Sequence, residues 1–143
     1  MLAFKKQENI DPDKSLAVGL KAIVTDESLD KSMIALMLAL PSEAYLAEIS
    51  EIIDFQAIHF ARDKLRLSSA VALKDELLSI YNMLSNDTVY SPSAESIATR
   101  SLKNTALGYL MLLDDKEVHR ACIKQCDSSD NMTDTMVALR AIV

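Results

Sequence analysis

The stretch 54-DFQAIHFARDKLRLSSAVALKDELLSIYNML-84 decides the fold. It contains neither Gly nor Pro, and none occurs anywhere from Ser42 to Ser91. Asp54 supplies an N-cap side chain. Ile58, Ala61 and Leu65, then Ala72, Leu73, Leu77, Ile80 and Leu84, bring apolar groups back at helical spacing. The spacing predicts one helix of some thirty residues, roughly 45 Å long at 1.5 Å per residue. A helix of that length exceeds the width of a small domain. It must pack against several neighbours or run along an extended stack.

The same reading extends outward. The chain has two glycines and three prolines in 143 residues, too few turn formers for a β protein of this length. Leu, Ala, Met and Ile dominate the apolar set and favour helix. Asp11-Pro12 starts a helix over about 12–25, carrying Leu16, Leu20, Ile23 and Val24. Asp30 caps a short helix with Met33, Ile34, Met37 and Leu38, ended by Pro41. Ser42 caps another with Tyr45, Leu46 and Ile49, without the acid that would complete a capping box. Ser85-Asn86-Asp87 ends the long element. Ser91-Pro92 opens a helix through Ile97, Leu102, Ala106, Tyr109, Leu110 and Leu113. Asp114-Asp115 begins one holding Val118, Ala121, Cys122 and Ile123. Asn131 or Thr133 caps the closing helix, which has apolar groups at Met132, Met136, Ala138, Leu139, Ile142 and Val143. The expectation is an all-α chain of about seven helices in antiparallel hairpins, as a bundle or an irregular armadillo/HEAT-like superhelix. No repeat recurs at 34 or 40 residues.

Composition narrows the function classes. Net charge is −6, with 21 acids against 15 scattered bases, which argues against a nucleic-acid surface. The longest apolar run, Met33 to Leu40, is too short to span a membrane. No signal peptide is visible at the start, and the expected compartment is the cytoplasm. The sequons Asn86-Asp87-Thr88 and Asn131-Met132-Thr133 read as chance and as a helix cap.

Chemistry is sparse. His59 does not begin an H-E-x-x-H motif and reads as a histidine at the edge of an apolar face beside Phe55 and Ile58. His119, Cys122 and Cys126 stand at i, i+3 and i+7 on one helix face, and all are metal-ligand types. Seven positions cover about 10.5 Å of helix axis, while zinc bonds are about 2.0–2.3 Å, so two neighbours can share an ion but three hardly can. The two cysteines read as small core hydrophobes. Gly19 and Gly108 stand alone, with no phosphate loop or nucleophile elbow. Ser68-Ser69 has no nearby His, and Asp75-Glu76 and Asp114-Asp115 read as solvated faces or helix starts. No catalytic, cofactor-binding or metal residue is assigned.

Several strings, in this order, resemble the C-terminal helical region of bacterial aminopeptidase N, a zinc metallopeptidase of the gluzincin class. They are VGLKAIVTDESLD (Val18–Asp30), LPSEAYLAEISEIID (Leu40–Asp54), LKDELLSIYN (Leu73–Asn82), SIATRSLKNTALGYL (Ser96–Leu110) and DNMTDTMVALRAI (Asp130–Ile142). The resemblance runs from about Pro12 onward. It departs at Asp30-Lys31 and Asp54-Phe55, where relatives commonly have Asp-Pro, which weakens a helix-start preference without removing the cap. The family's H-E-x-x-H zinc motif and G-x-M-E-N loop are absent here, so the resemblance places zinc and catalysis in a domain outside these residues. It implies that residues 1–143 form one helical segment of a larger C-terminal α-helical domain. Its partners would be the catalytic domain of the same chain and, through it, peptide substrates. Its role would be to wall off an active-site chamber. The closing helix, with no Gly, Asn or Pro after it, and Met1–Gln7, which resembles the tail of an earlier helix, would then be raw ends prone to self-association. The competing reading is a stand-alone helical interaction module. A regulator binding metal through His119, Cys122 and Cys126 is a third.

Overall fold

The computed structural model describes residues 14–85 and 89–143, and they form eight α-helices and no strand. These are α1 (Lys14–Val24), α2 (Lys31–Met37), α3 (Glu43–Glu48), α4 (Phe55–Ala72), α5 (Lys74–Leu84), α6 (Ala94–Leu110), α7 (Lys116–Ser128) and α8 (Met132–Ile142), with a 3-10 turn at Met111–Leu113. The Asp11-Pro12 start, the Met1–Gln7 stretch and the sequon at 86–88 lie outside the described residues. No helix among the described residues is long and apolar enough to cross a membrane.

Side-chain caps set most of the boundaries. Asp30 accepts from Ser32 N at 2.8 Å, Ser42 from Tyr45 N at 3.2 Å and Asp54 from Ala57 N at 3.1 Å. Asp115 accepts from Glu117 N and Asn131 from Asp134 N, both at 3.0 Å. Each fills an orphan donor of a first turn. Asp114, left-handed at φ 49°, closes the 3-10 turn, a conformation that Asp tolerates better than most residues.

Two boundaries differ from the sequence expectation. The helix after the third proline begins at Ala94, capped by Ser93, not at Ser91-Pro92. The proline ring disfavours helical backbone at Ser91, and the Ser93 hydroxyl accepts from Ser96 N at 3.3 Å. More consequentially, the thirty-residue helix is two helices, broken at Leu73, which has φ −110° and ψ 13°. The break costs few hydrogen bonds. Leu73 N donates to Ser69 O at 3.0 Å and its carbonyl accepts from Leu77 N at 2.9 Å. The reason is packing. Both α4 and α5 lie against α6, which spans only about 26 Å by helix rise, and a straight 45 Å rod would overshoot it. Leu73, at the bend, is fully buried. The apolar register shifts there too: Ser69 and Ala70 are buried, whereas Ala61 and Ala72 are exposed.

Helix α6 is the axis of the molecule, touching α2, α4, α5, α7 and α8. Leu102, Ala106, Leu107 and Leu110 on it meet Leu73, Leu77 and Ile80, Ile34 and Leu38, and Val118, Cys122 and Ala138 in one core. The Tyr109 hydroxyl donates to Leu38 O at 2.5 Å, joining the end of α2 to α6. Surface ion pairs Lys21–Glu76 (2.6 Å) and Lys74–Asp115 (2.9 Å) tie α1 to α5 and α5 to the start of α7. Helix α3 stands apart: Ala47, Ala57 and Ile58 are buried between α3 and α4 but lie outside the main core.

Truncating Leu77, which is fully buried, to Ala should cost about 2–5 kcal/mol. Val18→Ala, at an exposed position, should stay within about 0.5 kcal/mol. Urea unfolding followed by far-ultraviolet circular dichroism measures both, and equal effects would contradict the core assignment.

Candidate functional site

The densest polar arrangement lies where α5, α6, α7 and α8 converge. Asp134, in the first turn of α8, is buried. Its Oδ2 accepts from Lys103 Nζ at 2.5 Å and from Asn131 Nδ2 at 3.1 Å, and its Oδ1 accepts from Asn104 Nδ2 at 2.6 Å. Gln125 of α7 donates through Nε2 to Asn104 Oδ1 at 2.8 Å and to the Asp134 carbonyl at 3.2 Å. The Tyr81 hydroxyl, at the end of α5, donates to Gln125 Oε1 at 3.2 Å. Burial pushes the Tyr81 phenol above its ordinary pKa, so it remains a donor. The side chains of Lys103 and Asp134 are only 12% and 6% exposed, which places this ion pair in the interior.

The α-helical register explains the convergence. Lys103 and Asn104 are neighbours on α6, and Asn104 falls three residues before the buried Leu107. Asp134 is four residues before the buried Ala138, so both face α6 and α7. The Asp134 carboxylate also sits in the first turn of α8, where negative charge is favoured.

A cleft of about 690 Å³ opens over this network, bordered by Tyr81, Tyr90, Arg100, Lys103, Gln125 and Asp134 among others. On its wall the Arg100 guanidinium lies 4.9 Å from the Tyr90 ring centre and donates to Ser91 O at 3.0 Å. Tyr90 N donates to Asp130 Oδ2 at 2.7 Å, and that bond, with Asn131, holds the Asp130 carboxyl below its usual pKa. No buried side-chain nitrogen or oxygen among the described residues lacks a partner. The arrangement therefore holds helices in place.

His119, Cys122 and Cys126 are not brought together as a metal site. Cys122 is fully buried and its Sγ donates to Ala138 O at 3.5 Å. Burial raises its pKa, which keeps the thiol protonated and a poor ligand. His119 is exposed, with Nε2 3.8 Å from Asp114 Oδ1. No three His, Cys, Asp or Glu among the described residues group as metal ligands. The donor set does not fit zinc.

His59 also differs from its expected place at an apolar edge. It is exposed, with Nδ1 2.8 Å from Glu43 Oε1 and Nε2 3.2 Å from Asp63 Oδ2. Hydrophobic neighbours in sequence did not signal the two acids, one of them sixteen residues away.

Sequence reading also missed the interior network. Its signal was a polar pair, Lys103-Asn104, set within the apolar run of α6. The strings that carried the family resemblance supply most of it: Tyr81 lies in one, Lys103 and Asn104 in another, Asn131 and Asp134 in a third.

Comparison with known proteins places these features. The family described as "Domain of unknown function (DUF3458_C) ARM repeats" matches residues 1–143. The chain is 38% identical over 131 residues to aminopeptidase N of Escherichia coli (strain K12), covering 90% of this chain and 15% of that protein. It is 30% identical over 142 residues to aminopeptidase N of Haemophilus influenzae, covering 97% and 16%. The crystal structure of Legionella pneumophila aminopeptidase A in complex with aspartic acid contains the same fold, with a TM-score of 0.78 and 25% identity over 95% of this chain and 17% of that one. The chain thus spans about a sixth of the length of these relatives.

Removing one partner of the interior pair strands the other. Asp134→Ala should destabilise by about 3–5 kcal/mol. Combined with Lys103→Met, it should cost at least about 1 kcal/mol less than the sum of the single changes. A double-mutant cycle by urea denaturation reads this, and strict additivity would mean the pair contributes nothing specific.

Proposed function

This chain belongs to the DUF3458_C ARM-repeat family, and on that premise we propose that it is a non-catalytic helical segment of an aminopeptidase. The observation that carries the reading is the collinear identity of 30–38% with aminopeptidase N relatives over nine-tenths or more of the chain. Among the described residues every buried side-chain nitrogen and oxygen has a partner, as a rigid helical support requires. In the parent protein, zinc-dependent release of N-terminal residues from peptides belongs to a catalytic domain outside these residues. The helical segment helps wall off the chamber in which it happens.

The wall acts through rigidity. Core burial at about 25 cal/mol per Å² holds each helix, and the interior polar network fixes how α7 and α8 sit on α6. A wall held this way excludes folded proteins from a chamber while leaving the zinc chemistry to the enclosed site. The outer face of α8 suits a continuing stack: Met132, Met136, Leu139 and Ile142 are exposed, and the next helix of the parent domain covers them.

The purified chain should hydrolyse no aminoacyl-arylamide, with or without added zinc. An antibody against it should deplete aminopeptidase activity from a lysate of its producing cells and recognise a polypeptide several times its 15.8 kDa. Activity of the isolated chain that follows mutations within it would overturn the reading. Detection of this chain only as a free 15.8 kDa species without depletion of activity would favour an independent interaction module.

With the outer α8 face open, the isolated chain should self-associate at high concentration. Sedimentation velocity should show oligomers that Leu139→Glu shifts to monomer. A monomer at every concentration would contradict this use of α8.

A further inference from the structure

Helix α3 is six residues long, and α4 is its main neighbour. Ala47 is its one buried residue. Its apolar packing against Ala57 and Ile58 is small, and among the described residues two polar contacts with α4 add to it. Arg62 Nε donates to Pro41 O at 2.9 Å, just before α3. The other is His59, whose two ring nitrogens each face a carboxylate: Glu43 in the first turn of α3 and Asp63 one turn along α4.

The geometry limits the protonation state. A neutral imidazole carries one N–H, so it can donate to one of these acids while turning a lone pair on the other. The imidazolium donates to both. Glu43, Asp63 and Arg62 are the charged groups that act on this ring. The two acids favour its charged form, and Arg62 opposes it.

We propose that His59 is a protonation-dependent clip, which in its doubly protonated form ties α3 to α4 and on losing a proton loosens α3. What the clip positions is an apolar surface. Tyr45 on α3, Ile49 at its C-cap, Ile52 and Ile53 in the connection that follows, and Phe55 at the start of α4 are all exposed. Release of α3 changes how these side chains are presented, which makes this surface responsive to pH near neutrality.

The sign follows from linkage. The hydrogen bond to Glu43, with Asp63 adding to it, raises the His59 pKa above its ordinary value. The clip's contribution is therefore complete below the unfolded-state pKa and disappears as pH rises through the folded-state value. Because the groups are solvent-exposed, the effect is local and modest. The rest of the fold, held by the core around α6, does not take part.

Hydrogen exchange of the intact chain, corrected for intrinsic rates, tests this. Between about pH 5.5 and 8, protection of amides in residues 42–50 should fall about two- to five-fold, the size expected for exposed ion pairs, while α6 stays constant. The midpoint should coincide with the His59 ring titration followed by NMR. His59→Gln should abolish the pH dependence in residues 42–50 and leave α6 protected. Glu43→Gln should lower the His59 midpoint and flatten the same profile. The same pH dependence in the wild type and His59→Gln, or a His59 midpoint unmoved by Glu43→Gln, would overturn the proposal.

Discussion

The structure depends on a charge placed where charge is costly. Asp134 enters the interior at the start of α8, and an isolated buried carboxylate would cost several kcal/mol in lost hydration. Lys103 offsets its charge, Asn104 and Asn131 complete its hydrogen bonds, and Gln125 binds both Asn104 and the backbone beside it. Hydrogen bonds are directional, whereas apolar packing alone tolerates sliding. Three helices thereby acquire one mutual arrangement. Tyr81 extends the same set to α5.

Around that joint the hydrophobic core does the general work. Helix α6 has neighbours on most of its sides, and the break at Leu73 lets the α4–α5 segment fold along it. The residue types most often used in catalysis are engaged structurally or lie outside the core. The buried cysteine is a packed thiol bonded to a carbonyl, and the histidines lie at the surface. The exposed clip at His59 joins α4 to α3, a helix whose buried residue lies outside the main core.

Much of this was legible from residue order. Scarce Gly and Pro, with helical apolar spacing, determined an all-α fold. The caps at Asp30, Ser42, Asp54, Asp115 and Asn131 follow from local chemistry, because a short polar side chain at a helix start bonds amides two or three residues away. The family resemblance was legible for a related reason: its strings carry the polar groups of the joint as well as apolar positions. The break at Leu73 was not legible, because Leu73 and its neighbours are good helix formers and no local residue forces a bend.

Sequence by itself therefore determined which segments coil, where most of them begin, and which family they belong to. Tertiary structure alone decided that the longest segment divides, that Asp134 is buried while Met136 and Leu139 on the same helix are exposed, and that His59 meets Glu43. Periodicity reports a helix's own faces and hydrogen-bond caps act within a turn. Which face is covered, and which distant acid reaches a histidine, depends on where other helices lie in space.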